Sequence, residues 1–82
     1  MKGIVKYVNS RNGLCAIEVE TNNFTIFEDF DEGLSVGDIV SGDLESLGGE
    51  TLYNKTQGIE VDGSIENYGC GENQIETLLR LK

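Results

Sequence analysis

Apolar and polar residues alternate along this chain in short runs broken by polar turns. Leu14 to Glu20 shows it best: Cys15, Ile17 and Val19 fall on one face, assigned to the core, and Leu14, Ala16, Glu18 and Glu20 on the other. A period of two is that of a β-strand. Lys2 to Val8 is also rich in β-formers, but Ile4 and Val5 are adjacent and Tyr7 sits beside Val8. Broken alternation of this kind predicts a strand with a bulge. Between the two runs lies Asn9-Ser10-Arg11-Asn12-Gly13, whose Asn-Gly pair supplies the positive φ of a hairpin turn. Thr21-Asn22-Asn23 predicts the next turn. A third strand follows from Phe24 to Phe27 or Glu28, with Phe24 and Ile26 on one face and Thr25 and Phe27 on the other.

Beyond this meander the pattern loosens. Glu28 to Gly37 reads as an acidic loop in which Phe30, Leu34 and Val36 are expected to cap one end of the barrel that short strands and many turns suggest. A fourth strand is predicted over Asp38 to Ser46, with Val40, Gly42 and Leu44 inside and Gly42 permitting a sharp bend. Leu47 to Glu50 reads as a turn. A fifth strand is placed within Leu52 to Asn67, carried by Ile59, Val61 and Ile65 and interrupted by Gly58 and Gly63. In the last stretch, Gly71 to Lys82, Ile75, Leu78 and Leu79 form one helical stripe. It predicts a short helix docked on the barrel, since about ten residues do not hold a helix alone in water. A frayed tail and a partner-binding segment are the alternatives. The expected organisation is a barrel over residues 1–70 and a tail over 71–82.

Composition narrows the function. Eleven glycines and no proline in 82 residues suit many turns and bulges. Fifteen acidic against six basic residues give a net charge of −9, which repels phosphate backbones and leaves two readings, a solvated acidic surface or attraction of a basic partner. The absence of histidine from the sequence removes the usual proton shuttle, metal ligand and partner of a nucleophile. Cys15 and Cys70 are expected to be free thiols of a cytoplasmic protein, Cys15 as a small core residue. Glu28, Asp29, Asp31 and Glu32 invite a calcium loop, but counting from Asp29 puts Leu34 at position six and Val40 at position twelve, where glycine and glutamate are needed. Neither a metal nor another cofactor is expected. No apolar run approaches the roughly 18 residues of a membrane helix, and neither a secretory leader nor a membrane association is expected.

Several stretches resemble the cold-shock domain family. Lys2-Gly3-Ile4-Val5-Lys6-Tyr7-Val8-Asn9 is similar to its opening run, with Tyr7 at a tryptophan position. Asn12-Gly13-Leu14-Cys15-Ala16-Ile17 stands at the first RNA-binding motif, Phe24-Thr25-Ile26-Phe27-Glu28 at the second, and Leu34 to Val40 resembles the stretch leading into the fourth strand. The resemblance spans roughly residues 2 to 61. It implies an all-β fold, a small five-stranded antiparallel OB-type barrel, and a face on which single-stranded RNA or DNA stacks its bases.

Carried over by position, that face comprises Lys6, Tyr7, Arg11, Leu14, Ala16, Thr25, Phe27 and Phe30. Tyr7 and Phe27 keep rings. Leu14, Ala16 and Thr25 stand where the family has aromatics, and Glu28 adds charge of the wrong sign. Base–aromatic stacking contributes roughly 1–3 kcal/mol per base, so nucleic-acid affinity is expected to be weak or lost. Two non-enzymatic functions therefore remain in play. One is single-stranded nucleic-acid binding through Lys6, Tyr7, Arg11 and Phe27. The other is an acidic protein-interaction or regulatory module, including a homodimer, that uses Leu14, Ala16 and Phe27 as an apolar patch or the Ile75, Leu78, Leu79 stripe.

Overall fold

The computed structural model describes residues 1–81 and is dominated by strands: β1 (Lys2–Asn9), β2 (Leu14–Val19), β3 (Phe24–Asp29), β4 (Ile39–Ser41), β5 (Gly48–Asn54) and β6 (Ile59–Cys70). They close into one antiparallel barrel in the order β1-β2-β3-β6-β5-β4. A short 3-10 turn (Glu72–Gln74) and a one-turn helix, α1 (Ile75–Leu78), follow. The expected all-β barrel with a docked C-terminal helix is present.

The opening hairpin forms as its residues require. The Gly13 N–H donates to the Asn9 carbonyl at 2.9 Å, and Gly13 has φ 77°. In β1, Val5 faces Ile17 and Tyr7 faces Ala16, so the register slips by one at Lys6. That bulge accounts for the broken alternation: Val5 points into the barrel and Tyr7 points out.

The second half departs from expectation. The barrel has six strands rather than five. The run placed in one interrupted strand is the hairpin β5–β6, reversed at Gly58, which has φ 72° and donates its N–H to Asn54 at 2.8 Å. Leu47 to Glu50 is not a turn, because β5 already begins at Gly48. Its first residues are poor strand formers, and pairing with β6 along its whole length, from Gly48↔Ile65 to Asn54↔Ile59, imposes the conformation. Strand β4 keeps only Ile39–Ser41. Gly42 lies just beyond it, and Leu44 fills the core from the following loop.

The interior is lined by Val5, Cys15, Ile17, Val19, Phe27, Val40, Leu52, Val61 and Ile65, with Leu34 and Leu44 sealing it from loops. Gly63 is shaped to Phe27: a Cβ there would overlap the Phe27 ring and the Glu28 carbonyl. Of the expected capping residues only Leu34 is buried; Phe30 and Val36 are 60% and 64% exposed. The loop is held by polar groups instead. The buried Asp29 carboxylate accepts the N–H groups of Asp31 and Leu34 at 3.1 and 2.9 Å. Asp38 Oδ2 accepts from the Ser35 N–H, Asn54 Nδ2 and Gln57 Nε2 at 2.9, 2.7 and 2.7 Å. Burial alone would push the Asp38 carboxyl up, but the donors from Asn54, Ser35 and Gln57 outweigh it and hold the group below the ordinary carboxylate range.

Candidate functional site

The site implied by the family resemblance is the outer face of β1, β2 and β3. Directly opposed residues share a face. The pairs Tyr7↔Ala16, Ala16↔Ile26 and Glu18↔Phe24 therefore place Tyr7, Ala16, Ile26 and Phe24 on the outside, with Leu14 two residues from Ala16 along β2. The pairs Cys15↔Phe27 and Ile17↔Thr25 place Phe27 and Thr25 inside.

Two expected site residues are thus relocated. Phe27 has no exposed surface and belongs to the barrel core, so it cannot stack a base. Thr25 is equally buried, and its hydroxyl donates to the Leu44 carbonyl at 2.7 Å. Both faces of the pattern Phe24-Thr25-Ile26-Phe27 carry a phenylalanine, so the pattern alone does not choose between them. The Val19–Asn23 turn decides the phase, with the Val19 N–H bonded to the Asn23 carbonyl at 2.9 Å and Asn22 at φ 67°.

The outer face is apolar, and it is covered. Leu14, Ala16, Phe24, Ile26 and Cys70 form a second buried cluster with Ile75 and Leu79, and Leu78 packs at its edge. Leu14 is 6% exposed and Ala16 not at all, so the open apolar patch expected there is absent; the chain's own C-terminal segment occupies it. The helical stripe read from the sequence is the surface that docks.

The docking has polar anchors that the sequence did not reveal. A helix ends with carbonyls that lack intrahelical donors. The Leu79 carbonyl accepts from Asn9 Nδ2 at 2.7 Å and Asn12 Nδ2 at 3.1 Å. The same two amides shape the hairpin turn through their oxygens, accepting the N–H groups of Arg11 and Leu14 at 3.1 and 3.0 Å. At the other end of the segment the Tyr7 hydroxyl donates to Glu72 Oε2 at 2.9 Å. That bond and the Glu72 charge, with smaller contributions from desolvation and Glu18, raise the Tyr7 phenol above its usual value. The Tyr7 ring packs at 44° to Phe24, with centroids 6.2 Å apart. The chain closes with Leu81 N–H on the Glu76 carbonyl and Arg80 N–H on the Thr77 carbonyl, at 3.0 and 3.1 Å, and Arg80 at φ 58°. This is the reciprocal pattern of a Schellman stop.

The remaining expected residues stay on the surface but scattered. Lys6 pairs with Glu18 at 3.7 Å. Arg11 is exposed in the hairpin turn, and Phe30 is exposed in the loop after β3. A feature missed in the sequence lies along β6, where Glu60, Asp62 and Glu66 point outward while Val61, Gly63 and Ile65 point inward. Glu28 lies beside this strip through its pairing with Ser64, and Asp31 Oδ2 accepts the Asp62 N–H at 3.0 Å. Regular polar–apolar alternation over residues 60–66 was the available signal.

Among the described residues no group of three or more His, Cys, Asp or Glu side chains is arranged to hold a metal ion. Cys15 and Cys70 are both free and buried. Desolvation, with a smaller contribution from Asp29, pushes the Cys15 thiol up to about 12, so it stays protonated at neutral pH. No helix among the described residues is long and apolar enough to cross a membrane. Neither a family model, nor a curated protein, nor a solved structure matches this chain.

Proposed function

We propose that this chain is a non-enzymatic protein-interaction module built on a cold-shock-like OB barrel, and that the family's single-stranded nucleic-acid binding is lost. The observation that carries the reading is the burial of Leu14, Ala16, Phe24 and Ile26 beneath residues 71–81. A stacking platform must present flat side chains beside positive charge. Here the exposed Tyr7 ring is bonded to a carboxylate, and Lys6 is paired to another. A net charge of −9 and the β6 strip of Glu60, Asp62 and Glu66 favour a basic protein partner. The protonated, buried Cys15 and the lack of histidine in the sequence support a non-enzymatic role. Two unpaired thiols fit a cytoplasmic setting.

The test is a pair of anisotropy titrations at low salt. Labelled oligo-dT and oligo-U are expected to show no saturable binding below about 10 µM, given the missing stacking groups. Labelled decalysine, as a basic probe, is expected to bind, and to bind at least tenfold more weakly to the double variant Glu60→Lys, Asp62→Lys than to Asp43→Lys, Glu45→Lys, which carries the same net charge. Tight oligonucleotide binding that Tyr7→Ala abolishes would overturn the reading. So would equal decalysine affinity of the two double variants.

A further inference from the structure

We propose that residues 71–81 are an exchangeable arm, and that the outer face of β1–β3 takes this arm from a second copy of the chain to form a closed dimer. The proposal stands on the geometry of the arm and does not depend on the charge of any other partner.

The arm is joined to the barrel by Gly69-Cys70-Gly71. Cys70 is the last residue of β6, paired with Phe24, so the sheet ends where the arm begins. Gly69 sits at φ 68°, and a Cβ built there would meet nothing within 4 Å. Internally it holds a three-residue 3-10 turn and a four-residue helix, too little to persist alone. Its order comes from what it touches.

Several of those contacts are made with the barrel. Ile75 and Leu79 are buried against Leu14, Ala16, Phe24 and Ile26. Asn9 and Asn12 recognise the carbonyl at the helix end, and Tyr7 binds Glu72 near its start. Both flanks of the seam are unsealed. A cleft of about 330 Å³ lies between Tyr7 and the residues Glu72, Ile75, Glu76 and Leu81, and one of about 210 Å³ lies between Leu14, Ile26, Asn67 and the residues Thr77, Leu78 and Arg80. The arm thus rests on the barrel as a ligand rests in a groove.

A second copy carries the one segment known to fit. Each contact made within a chain can be made between chains, so a two-fold exchange keeps them all and closes the assembly. What opposes it is the high effective concentration of the tethered arm, of millimolar order for a short link. The wild-type chain is therefore expected to be monomeric at micromolar concentration and to form dimers when refolded at about millimolar concentration, as the tether no longer dominates.

Complementary variants remove the tether's advantage. Leu79→Asp spoils the arm and leaves the face; Ala16→Asp spoils the face and leaves the arm. By sedimentation, each alone is expected to remain monomeric, while an equimolar mixture, in which the intact arm of one variant meets the intact face of the other, dimerises through that single exchange at least tenfold more tightly. A mixture no more associated than its parts would overturn the proposal. Should either variant lose its far-ultraviolet strand signal, hydrogen exchange of the wild-type chain decides instead. An exchangeable arm requires amides of residues 75–81 to exchange at least tenfold faster than those of 14–19. Equal rates would make the arm part of the global unfolding unit and refute exchange.

Discussion

Strands β2 and β3 supply alternate residues to two buried clusters, and the two differ in how they are sealed. Cys15, Ile17, Thr25 and Phe27 point into a barrel whose every strand has two neighbours. Leu14, Ala16, Phe24 and Ile26 point the other way and are covered by a single turn of helix and its flanks. Both sets are below one-tenth exposed. Burial alone therefore does not separate the part of the chain that makes the fold from the part that can be uncovered. Connectivity does: removing the inner contacts opens the barrel, whereas removing the outer ones releases only the short helical segment over residues 71–81.

The sharpest way to break this comparison is inside. Gly63→Ala drives a methyl group into the Phe27 ring and the Glu28 carbonyl. Because backbone must move, the expected cost is about 3 kcal/mol or more, lost cooperatively from the whole barrel in urea unfolding. A change within 0.5 kcal/mol would show the interior to be looser than its geometry.

Next comes a matched pair. Leu52→Ala and Leu79→Ala remove the same atoms from fully buried sites in the inner and outer clusters. Leu52→Ala is expected to cost about 2–5 kcal/mol of global stability. Leu79→Ala is expected to cost the global transition less, because loss of the arm limits the damage, while exchange protection over 75–81 disappears. Equal global losses would merge the two clusters into one core.

The smallest effect is at Tyr7. Its phenol is raised in the folded state, so its contribution is fully present below the ordinary tyrosine pKa of about 10 and is lost as pH rises through the folded value. Ionised Tyr7 cannot donate to Glu72 and repels it. Arm protection is expected to fall in that alkaline window, with protection at residues 14–19 retained, and Tyr7→Phe is expected to flatten the response. A pH profile that Tyr7→Phe leaves unchanged would assign the effect elsewhere.

How far the sequence led depended on what carried each signal. The hairpin at Asn9–Gly13, the bulge near Lys6 and the burial of Cys15, Ile17 and Val19 followed from residue type and spacing over a few positions. The strand β5 did not, because Gly48, Gly49 and Glu50 are strand only by pairing with β6. The face of Phe27 did not either: a strand with apolar residues on both sides has no preferred phase, and the Cys15↔Phe27 register assigned it.

Taken alone, then, the sequence determined an acidic, histidine-free, strand-rich chain with an amphipathic stripe over Ile75, Leu78 and Leu79, since these rest on local pattern and on counts. Only the tertiary structure decided that the stripe lies over Leu14 and Ala16, that Phe27 is interior, and that Asn9 and Asn12 hold the Leu79 carbonyl. The docking at Leu79 depends on contacts between residues some 70 positions apart (70 for Asn9 to Leu79 and 67 for Asn12), and the phase of Phe27 on its register with Cys15 across a turn. No local period records such contacts; they exist once the barrel has closed and brought the two ends of the chain together.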